Sequence, residues 1–365
     1  MTKIDLGVFM PIANNGWIIS KNAPQYRPTW ELNRDIALYA EEIGFDSLFS
    51  MVKWKGFGGQ TQHWDHSLES LTLMTGLAAV TDRVRIIASV QPLILNPVVA
   101  AKMTATIDQI SNGRFGINFV TGQYFDEYAQ MGVLPEGYAN TRYDYAREWT
   151  EAIKLLWTQD RVSYQGEHYQ ITDCTSSPKP VQEGGVPIVC AGMSERGMEF
   201  TARHGDRCFI TGRDLEDLKD VSKRAKRVAE SLGTTVKTDT VLVLVIEDTD
   251  EKAQRVMEDY RAGVDVEAWR NIFSIYAKDV EGASSQTVLE RAKRDVFFAF
   301  LPIAGSPATV AAILADLAKE GDLDGLMFTF PDYLRGLKRF DSEVKPEMQR
   351  LGIQFSSTTH EEEVA

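Results

Sequence analysis

Short apolar segments alternate with amphipathic segments along almost the entire chain. Eight apolar runs have the length and continuous hydrophobicity of buried parallel strands, and they span residues 6–10, 47–52, 84–90, 115–120, 187–191, 208–211, 241–246 and 326–330. Between most of them, apolar residues recur at helical spacing, as in Leu32, Ile36 and Ile43. Eight strands alternating with helices predict an α/β fold, a (β/α)8 TIM barrel with insertions, rather than a doubly wound sheet.

No linker-like or charged block divides the chain, so we expect one barrel domain over residues 1–355, followed by a disordered acidic tail at 356–365. Two segments interrupt the alternation. Residues 162–171 predict a small hairpin that turns at Gln165-Gly166, and residues 264–300 are too long for a single connection, which makes them a candidate lid. Ser306 followed by Pro307 predicts the N-cap and first position of a helix.

Charge and composition narrow the classes of partner. The 365 residues include 39 basic and 52 acidic side chains, for a net charge of −13, which disfavours nucleic acids and anionic membranes as partners. No apolar run reaches the roughly 20 residues of a membrane helix. The chain starts in a strand-like stretch without a signal-peptide pattern, so we expect a cytoplasmic protein. Its three scattered cysteines are expected to be reduced thiols.

The common dinucleotide, P-loop, esterase and metalloprotease motifs are absent from the sequence. His63, Asp65 and His66 place two imidazoles and a carboxylate close together, which is one arrangement that binds a metal. Asp65 and Ser67 also fit the start of a helix. We therefore expect no metal site.

Residues that follow the strands are the candidates for chemistry, because the loops at the carboxyl ends of barrel strands carry the active site. Asn118 interrupts an apolar strand, and a buried amide needs a partner in a neighbouring strand or in a ligand. Asn15 follows the first strand, either as a turn residue or as a ligand contact. Lys53 follows the second strand, as a surface amine or as a charge in the site.

A phosphate site is a further candidate. The small residues 191–193 and Ser194 end the fifth strand and open a helix, whose N-terminal N–H groups and dipole favour an anion. Arg142 offers a bidentate charge near Tyr143. The same residues are also compatible with helix capping alone. Among the loop tryptophans, Trp64 is a candidate to stack near a substrate.

Nine motifs follow one another in order, at residues 11–17, 23–26, 55–59, 64–66, 105–108, 113–116, 120–122, 142–145 and 190–192, within matches that extend from about Ile4 to about Met348. Together they resemble the pyrimidine monooxygenases that degrade uracil, within the bacterial-luciferase-like family of flavin monooxygenases. This family has the (β/α)8 barrel fold, and dimers or larger homo-oligomers are its precedent.

The resemblance implies a set of FMN contacts: Val52, Lys53, Asn118, Glu127, Arg142, Tyr143 and Ser194. It also implies that a separate flavin reductase, using NADH or NADPH, supplies reduced FMN, and that O2 is the co-substrate. In the uracil enzymes a flavin peroxide, formed at N5 or C4a, attacks the C4 carbonyl and opens the amide bond. By this resemblance Asn118 and the Ser89 hydroxyl line the oxygen pocket and are the catalytic candidates.

The chain departs from the family at strand ends where substrate would be recognised. Ser89 stands where the family has Thr, residues 90–93 differ from a Thr-rich run, and Gln123 follows Gly122 where the family has Trp. The candidate substrate contacts are Gln123, Tyr124, Trp64 and Asn15.

These departures leave the substrate open between uracil or thymine and another cyclic amide, an N-heteroarene or a carbon–heteroatom bond. Two other functions also remain open: an F420-dependent oxidoreductase on the same barrel, and a non-catalytic flavin-binding protein.

Overall fold

Twelve strands are present in the computed structural model, which describes residues 2–122, 124–279, 282–292 and 300–356. The strands are β1 (Thr2–Phe9), β2 (Ser47–Phe49), β3 (Arg85–Val90), β4 (Phe115–Phe119), β5 (Val162–Gln165), β6 (Gln170–Cys174), β7 (Ile188–Cys190), β8 (Arg207–Ile210), β9 (Lys237–Ile246), β10 (Leu301–Gly305), β11 (Gly325–Thr329) and β12 (Ile353–Phe355).

Eight of the strands close into a parallel barrel. The order is β1, β2, β3, β4, β7, β8, β9 and β11, and β11 pairs back onto β1. Strand β8 pairs with the first half of β9, and β10 pairs with its second half. Each of the eight predicted strands overlaps one barrel strand, so the predicted (β/α)8 TIM barrel is confirmed.

Thirteen α-helices lie in the described parts of the chain: α1 (Trp30–Glu42), α2 (Ser70–Val80), α3 (Pro97–Ser111), α4 (Phe125–Gln130), α5 (Tyr138–Thr158), α6 (Glu195–His204), α7 (Leu215–Ser231), α8 (Asp250–Ala262), α9 (Val266–Tyr276), α10 (Ala283–Ala292), α11 (Pro307–Glu320), α12 (Tyr333–Arg339) and α13 (Lys345–Arg350). A π-helical turn, Phe340–Val344, joins the last two. None of the helices in these described ranges is long and apolar enough to cross a membrane.

Two predicted helix starts have different outcomes. Ser306 caps α11 as predicted, with its hydroxyl accepting from the N–H of Thr309. The start suggested at Asp65 is wrong, because α2 begins at Ser70, where the carboxylate of Glu69 accepts the first N–H groups of the helix. Asp65 instead accepts from the N–H of Gly58 over 3.0 Å.

The alternation of side chains along the strands separates two apolar layers. In β9, Leu242 and Leu244 pack in the layer between the barrel and the helices, whereas Val241 and Val243 belong to the cluster inside the barrel. Phe49 at the end of β2 belongs to the same interior cluster. The barrel interior is therefore filled with apolar side chains beneath the mouth where the strands end.

Regular elements occupy the described parts of both predicted interruptions: β5 and β6 in the first, α9 and α10 in the second. Strands β5 and β6 pair antiparallel, which confirms the hairpin. In the segment 264–300, Asp265 caps α9 and also accepts from the N–H and hydroxyl of Thr61, at 2.6 and 2.8 Å, and Asn271 donates to the carbonyl of Phe57 over 2.8 Å. These bonds attach α9 to the loop after β2. The lid hypothesis stays a prediction, and residues 280–281, 293–299 and the tail beyond Ser356 lie outside the described residues.

Candidate active site

A cavity of about 250 Å³ opens at the carboxyl ends of the barrel strands. Its floor is aromatic: the ring centroid of Phe49 lies 5.0 Å from that of Phe9 and 5.1 Å from that of Phe209. Trp17 and Phe300 continue the aromatic wall, with ring centroids 4.5 Å apart. A concave cavity with aromatic walls and polar groups at defined points suits a flat organic ligand.

Two polar side chains meet on the barrel wall. Ser89 on β3 and Asn118 on β4 are register partners, and Asn118 Nδ2 donates to Ser89 Oγ over 2.8 Å. The Ser89 hydroxyl donates in turn to the carbonyl of Ser50 over 2.6 Å. Asn118 Oδ1 is buried and has no hydrogen-bond partner among the described residues. A buried acceptor without a partner is costly, so this oxygen is available for a donor on a bound ligand.

A buried ion pair forms a second polar point. Lys53 Nζ lies 3.0 Å from Glu127 Oε1, and both side chains are almost fully buried. The same carboxylate oxygen accepts from the N–H groups of Trp54 and Lys55, at 2.9 and 3.2 Å. Burial lowers the pKa of the Lys53 ammonium, and the Glu127 carboxylate opposes this shift.

Aromatic rings surround the ammonium of this pair. Lys53 Nζ lies 4.1 Å from the ring centroid of Tyr124, 4.3 Å from that of Phe57 and 5.7 Å from that of Trp64. Such cation–π contacts stabilise the charge of a side chain that is only 7% exposed. They also bring the loop after β2 and the start of α4 together on one side of the cavity.

A second buried ion pair lies at another part of the cavity wall. Arg142 Nη1 on α5 lies 3.0 Å from Asp279 Oδ1, with 8% and 1% of the two side chains exposed. The hydroxyl of Ser285 also donates to Asp279 over 2.8 Å. The guanidinium has four further N–H groups, so the ion pair leaves donors for an anion.

The N-terminus of α6 adjoins this guanidinium. Ser194 caps the helix, and its hydroxyl accepts from the N–H of Gly197 over 3.1 Å. The hydroxyl of Tyr143 occupies the space that a side chain at Gly192 or Gly197 would need, so only glycine permits this close approach. Burial raises the pKa of the Tyr143 phenol, and its hydrogen bond with Ser194 opposes the shift. A helix N-terminus, a neutral phenol and a buried Arg142 form an arrangement suited to a phosphate.

Comparison with protein families places this architecture. The model of a family described as luciferase-like monooxygenase matches residues 4–323. The chain belongs to the luciferase-like monooxygenase family. The resemblance carried by the sequence motifs is therefore confirmed.

Individual relatives and structures agree with this assignment. Pyrimidine monooxygenase RutA of Stutzerimonas stutzeri (strain A1501) is 42% identical over 350 residues, which cover 95% of this chain and 97% of that protein. Pyrimidine monooxygenase RutA of Variovorax paradoxus (strain S110) is 39% identical over 358 residues and 96% of each chain. A crystal structure of riboflavin lyase (RcaE) with modified FMN and substrate riboflavin has a TM-score of 0.82 at 21% identity, over 96% of this chain and 92% of that chain, and so shares the fold.

The cavity of this luciferase-like monooxygenase gathers most of the candidate residues. It is lined by Val52, Lys53, Trp64, Ser89, Asn118, Tyr124, Glu127, Arg142, Tyr143 and Ser194. Asn15 is not among the lining residues: its amide donates to the carbonyl of Thr61 over 2.7 Å and accepts from the N–H of Tyr26 over 3.1 Å. Gln123 lies outside the described residues.

The histidine pair of this luciferase-like monooxygenase is separated. His63 is buried with both ring nitrogens unpartnered among the described residues, whereas His66 is exposed. Burial lowers the pKa of His63 to about 3. Over the described ranges, no group of three or more His, Cys, Asp or Glu side chains is arranged to hold a metal ion.

Among the cavity residues outside the sequence-based list, two make buried polar contacts that the site depends on, Asp279 and Gln91. Asp279 was missed because its partner Arg142 lies 137 positions away and an isolated acidic residue after a helix carries no signal. Gln91 was noted only as part of a segment that departs from the family pattern. Its position two residues after Ser89, with the same strand parity, was the available signal, since alternate residues of a strand face the same side.

Proposed function

We propose that this chain is the oxygenase component of a two-component system that uses reduced FMN and O2 to open a pyrimidine ring, uracil or thymine, at its C4 amide bond. The observation that carries the proposal is the cavity itself. It is lined by Arg142, Tyr143 and Ser194 and by Asn118, whose Oδ1 has no partner among the described residues. The curated relatives named pyrimidine monooxygenase, at about 40% identity over nearly the full chain, support the substrate class.

The residues present fit FMN at both ends. Arg142, Tyr143 and the capped N-terminus of α6 would hold its phosphate, because they combine a buried cation with helix N–H groups. Asn118 Oδ1 would accept a hydrogen bond from the flavin ring system and so satisfy its buried oxygen. When bound, reduced FMN supplies the electrons that activate O2.

Val52 and the Lys53–Glu127 ion pair complete the proposed flavin contacts on the side of β2 and α4. The ion pair holds the loop after β2 against α4, because the Glu127 carboxylate also binds two backbone N–H groups of that loop. Its proposed role is thus to fix the wall against which the ring system lies.

The chain contributes position, dryness and fixed dipoles rather than an acid–base pair. Ser89 holds the Asn118 amide in one orientation, so this dipole needs no rearrangement during the reaction. The aromatic floor and walls exclude water from the substrate carbonyl, which favours productive reaction over loss of the activated oxygen. A cytoplasmic flavin reductase that uses NADH or NADPH completes the proposed system.

The test is a product assay in air with purified protein, FMN, a flavin reductase, NADH and 18O2. With uracil or thymine we expect a ring-opened product that contains one 18O atom. The matched control is the same mixture without the protein, which reports uncoupled chemistry of free reduced flavin. If both pyrimidines survive while FMN binds, the pyrimidine assignment is wrong. Loss of the pyrimidine under anaerobic conditions, to a reduced product without added oxygen, would instead indicate hydride transfer.

A further inference from the structure

Gln91 is a buried glutamine in the cavity wall that has no part in the proposed flavin contacts. It follows the last residue of β3 and lies two positions after Ser89. Its side chain lines the cavity, and only 5% of the residue is exposed. A buried amide in this position needs hydrogen-bond partners in the protein or in a ligand.

Its backbone is fixed by the turn that follows β3. The Gln91 carbonyl accepts from the N–H groups of Ile94 and Leu95, at 3.2 and 3.1 Å. A side chain from another element also fixes the turn, because the hydroxyl of Tyr169 donates to the carbonyl of Pro92 over 2.9 Å. The Cα of Gln91 is thus attached to rigid structure.

Its side chain is fixed by Trp54. The indole Nε1 donates to Gln91 Oε1 over 2.8 Å. An indole N–H can only donate, so the amide oxygen must face Trp54 and the amide nitrogen must face away. Trp54 is itself fixed, because its backbone N–H donates to the Glu127 carboxylate over 2.9 Å.

What remains of the side chain is an NH2 group. This nitrogen has no hydrogen-bond partner among the described residues. It also keeps some accessible surface, since it is not one of the fully buried polar atoms that lack a partner. Because only 5% of the residue is exposed and it lines the cavity, we infer that its two N–H donors face the cavity. A donor whose orientation is set before binding recognises an acceptor at little entropic cost.

We propose that Gln91 is a specificity-determining residue that donates a hydrogen bond to an acceptor oxygen of a flat heterocyclic amide. This proposal rests on the proposed function and adds the side chain that recognises the substrate. An apolar ligand would leave the Gln91 donors unpaired in an enclosed site, whereas a ring carbonyl would pair them, so the side chain selects cyclic amides over hydrocarbons.

The experiment compares Gln91→Met with wild type and with Gln109→Met. Methionine keeps the length of the side chain and removes both donors. Gln109 is exposed on α3 and donates to the carbonyl of Lys179, away from the cavity, so it controls for the substitution itself. The probes are uracil, 2-thiouracil and 4-thiouracil, because sulfur is a weaker acceptor than oxygen and each analogue changes one acceptor.

For Gln91→Met we expect kcat/KM for uracil to fall about 10- to 100-fold, with FMN affinity unchanged. We also expect the preference for uracil over one of the two thio analogues to collapse, which a merely structural role would not cause. Trp54→Phe keeps an aromatic ring but removes the orienting N–H, and we expect it to give a smaller change of the same kind. Gln109→Met should match wild type.

The outcomes separate this inference from the proposed function. If wild type oxidises uracil and Gln91→Met keeps both its kcat/KM and its thio preference, the inference is wrong and the function stands. If wild type oxidises no pyrimidine, the function fails, and calorimetric binding of uracil to the FMN-loaded protein decides the inference. Binding that weakens in Gln91→Met supports it, and absent or equal binding overturns it.

Discussion

Ser89 and Asn118 form a hydrogen bond across neighbouring barrel strands in which each atom has one possible role. The Ser89 proton is used by the carbonyl of Ser50, so Ser89 Oγ can only accept from Asn118 Nδ2. This fixes the amide of Asn118 and leaves its oxygen as the buried atom without a partner among the described residues. The orientation of the proposed flavin contact thus depends on the hydroxyl of Ser89.

Ser89→Ala should therefore lower both stability and turnover. It leaves Asn118 Nδ2 buried without an acceptor, at an expected cost of about 1–3 kcal/mol in the free energy of unfolding. The amide is then free to rotate, so uracil turnover at saturating reduced FMN should fall by about tenfold or more. Urea unfolding and product assays measure the two effects. Ser89→Thr keeps the hydroxyl and is the control, and equal turnover in all three proteins would contradict the positioning role.

The Lys53–Glu127 ion pair should respond to Glu127→Gln much more strongly than a surface pair responds to the same change. Removing one partner leaves the Lys53 charge buried, with an expected loss of about 3–5 kcal/mol near neutral pH. Glu347→Gln breaks the exposed contact with Arg350 and should cost less than about 1 kcal/mol. Chemical denaturation of both variants measures the difference.

The pH dependence gives a second readout for this pair. The pKa of Lys53 in the folded protein is lowered by burial, so the unfolded chain binds more protons between that pKa and 10.5. The contribution of Lys53 to the free energy of unfolding therefore rises with pH in that window. Without Glu127 the pKa should fall further, so the loss in Glu127→Gln should shrink as pH rises. A loss that does not change with pH would show that Lys53 stays charged.

The sequence was sufficient for the barrel because parallel strands covered on both faces are continuously apolar. All eight barrel strands carry this signal. Strand β10 does not, because Pro302 interrupts it and proline is unusual inside a sheet; the strand is formed by pairing with the second half of β9. Strand β12 has three residues and pairs only with the start of β1, which is too short for a periodic pattern.

The site was predictable residue by residue but not as a set of pairs. Asn118 stood out as a polar residue in an apolar strand, and Ser194 as a helix cap. The pairing of Arg142 with Asp279 could not be predicted from the sequence, because it depends on where the segment after α9 packs in the fold. The orientation of Gln91 likewise depends on Trp54, on a different loop.

Because the buried His63 stays neutral in the folded protein, we expect the free energy of unfolding to fall as the pH drops below about 6.5. Burial lowers its pKa from 6.5 to about 3, so between these values the unfolded chain binds a proton that the folded protein does not. The contribution of the neutral ring is complete above pH 6.5 and is lost as pH falls toward 3. Its slope is at most about 1.4 kcal/mol per pH unit. Denaturant unfolding from pH 7.5 to 4.5 measures this slope.

His63→Leu should flatten that dependence, since leucine does not titrate. The control is His66→Leu, three residues away on the surface, which should keep the wild-type slope. If His63→Leu and wild type lose stability in parallel on acidification, the buried imidazole is not the group that titrates.

Arg142 and Asp279 allow a test in which two variants break the same ion pair with opposite expected results. If Arg142 holds the flavin phosphate, Arg142→Met should lower FMN affinity about 10- to 100-fold and leave riboflavin affinity nearly unchanged. Asp279→Asn removes a carboxylate that faces the same guanidinium, so its preference for FMN over riboflavin should stay or rise. Fluorescence titrations with both flavins give the preference directly. Arg196→Met, at an exposed cation over the Tyr143 ring, is the control for a general change in charge. A similar loss of preference in Arg142→Met and Asp279→Asn would mean that the ion pair only supports the fold and that the phosphate binds elsewhere.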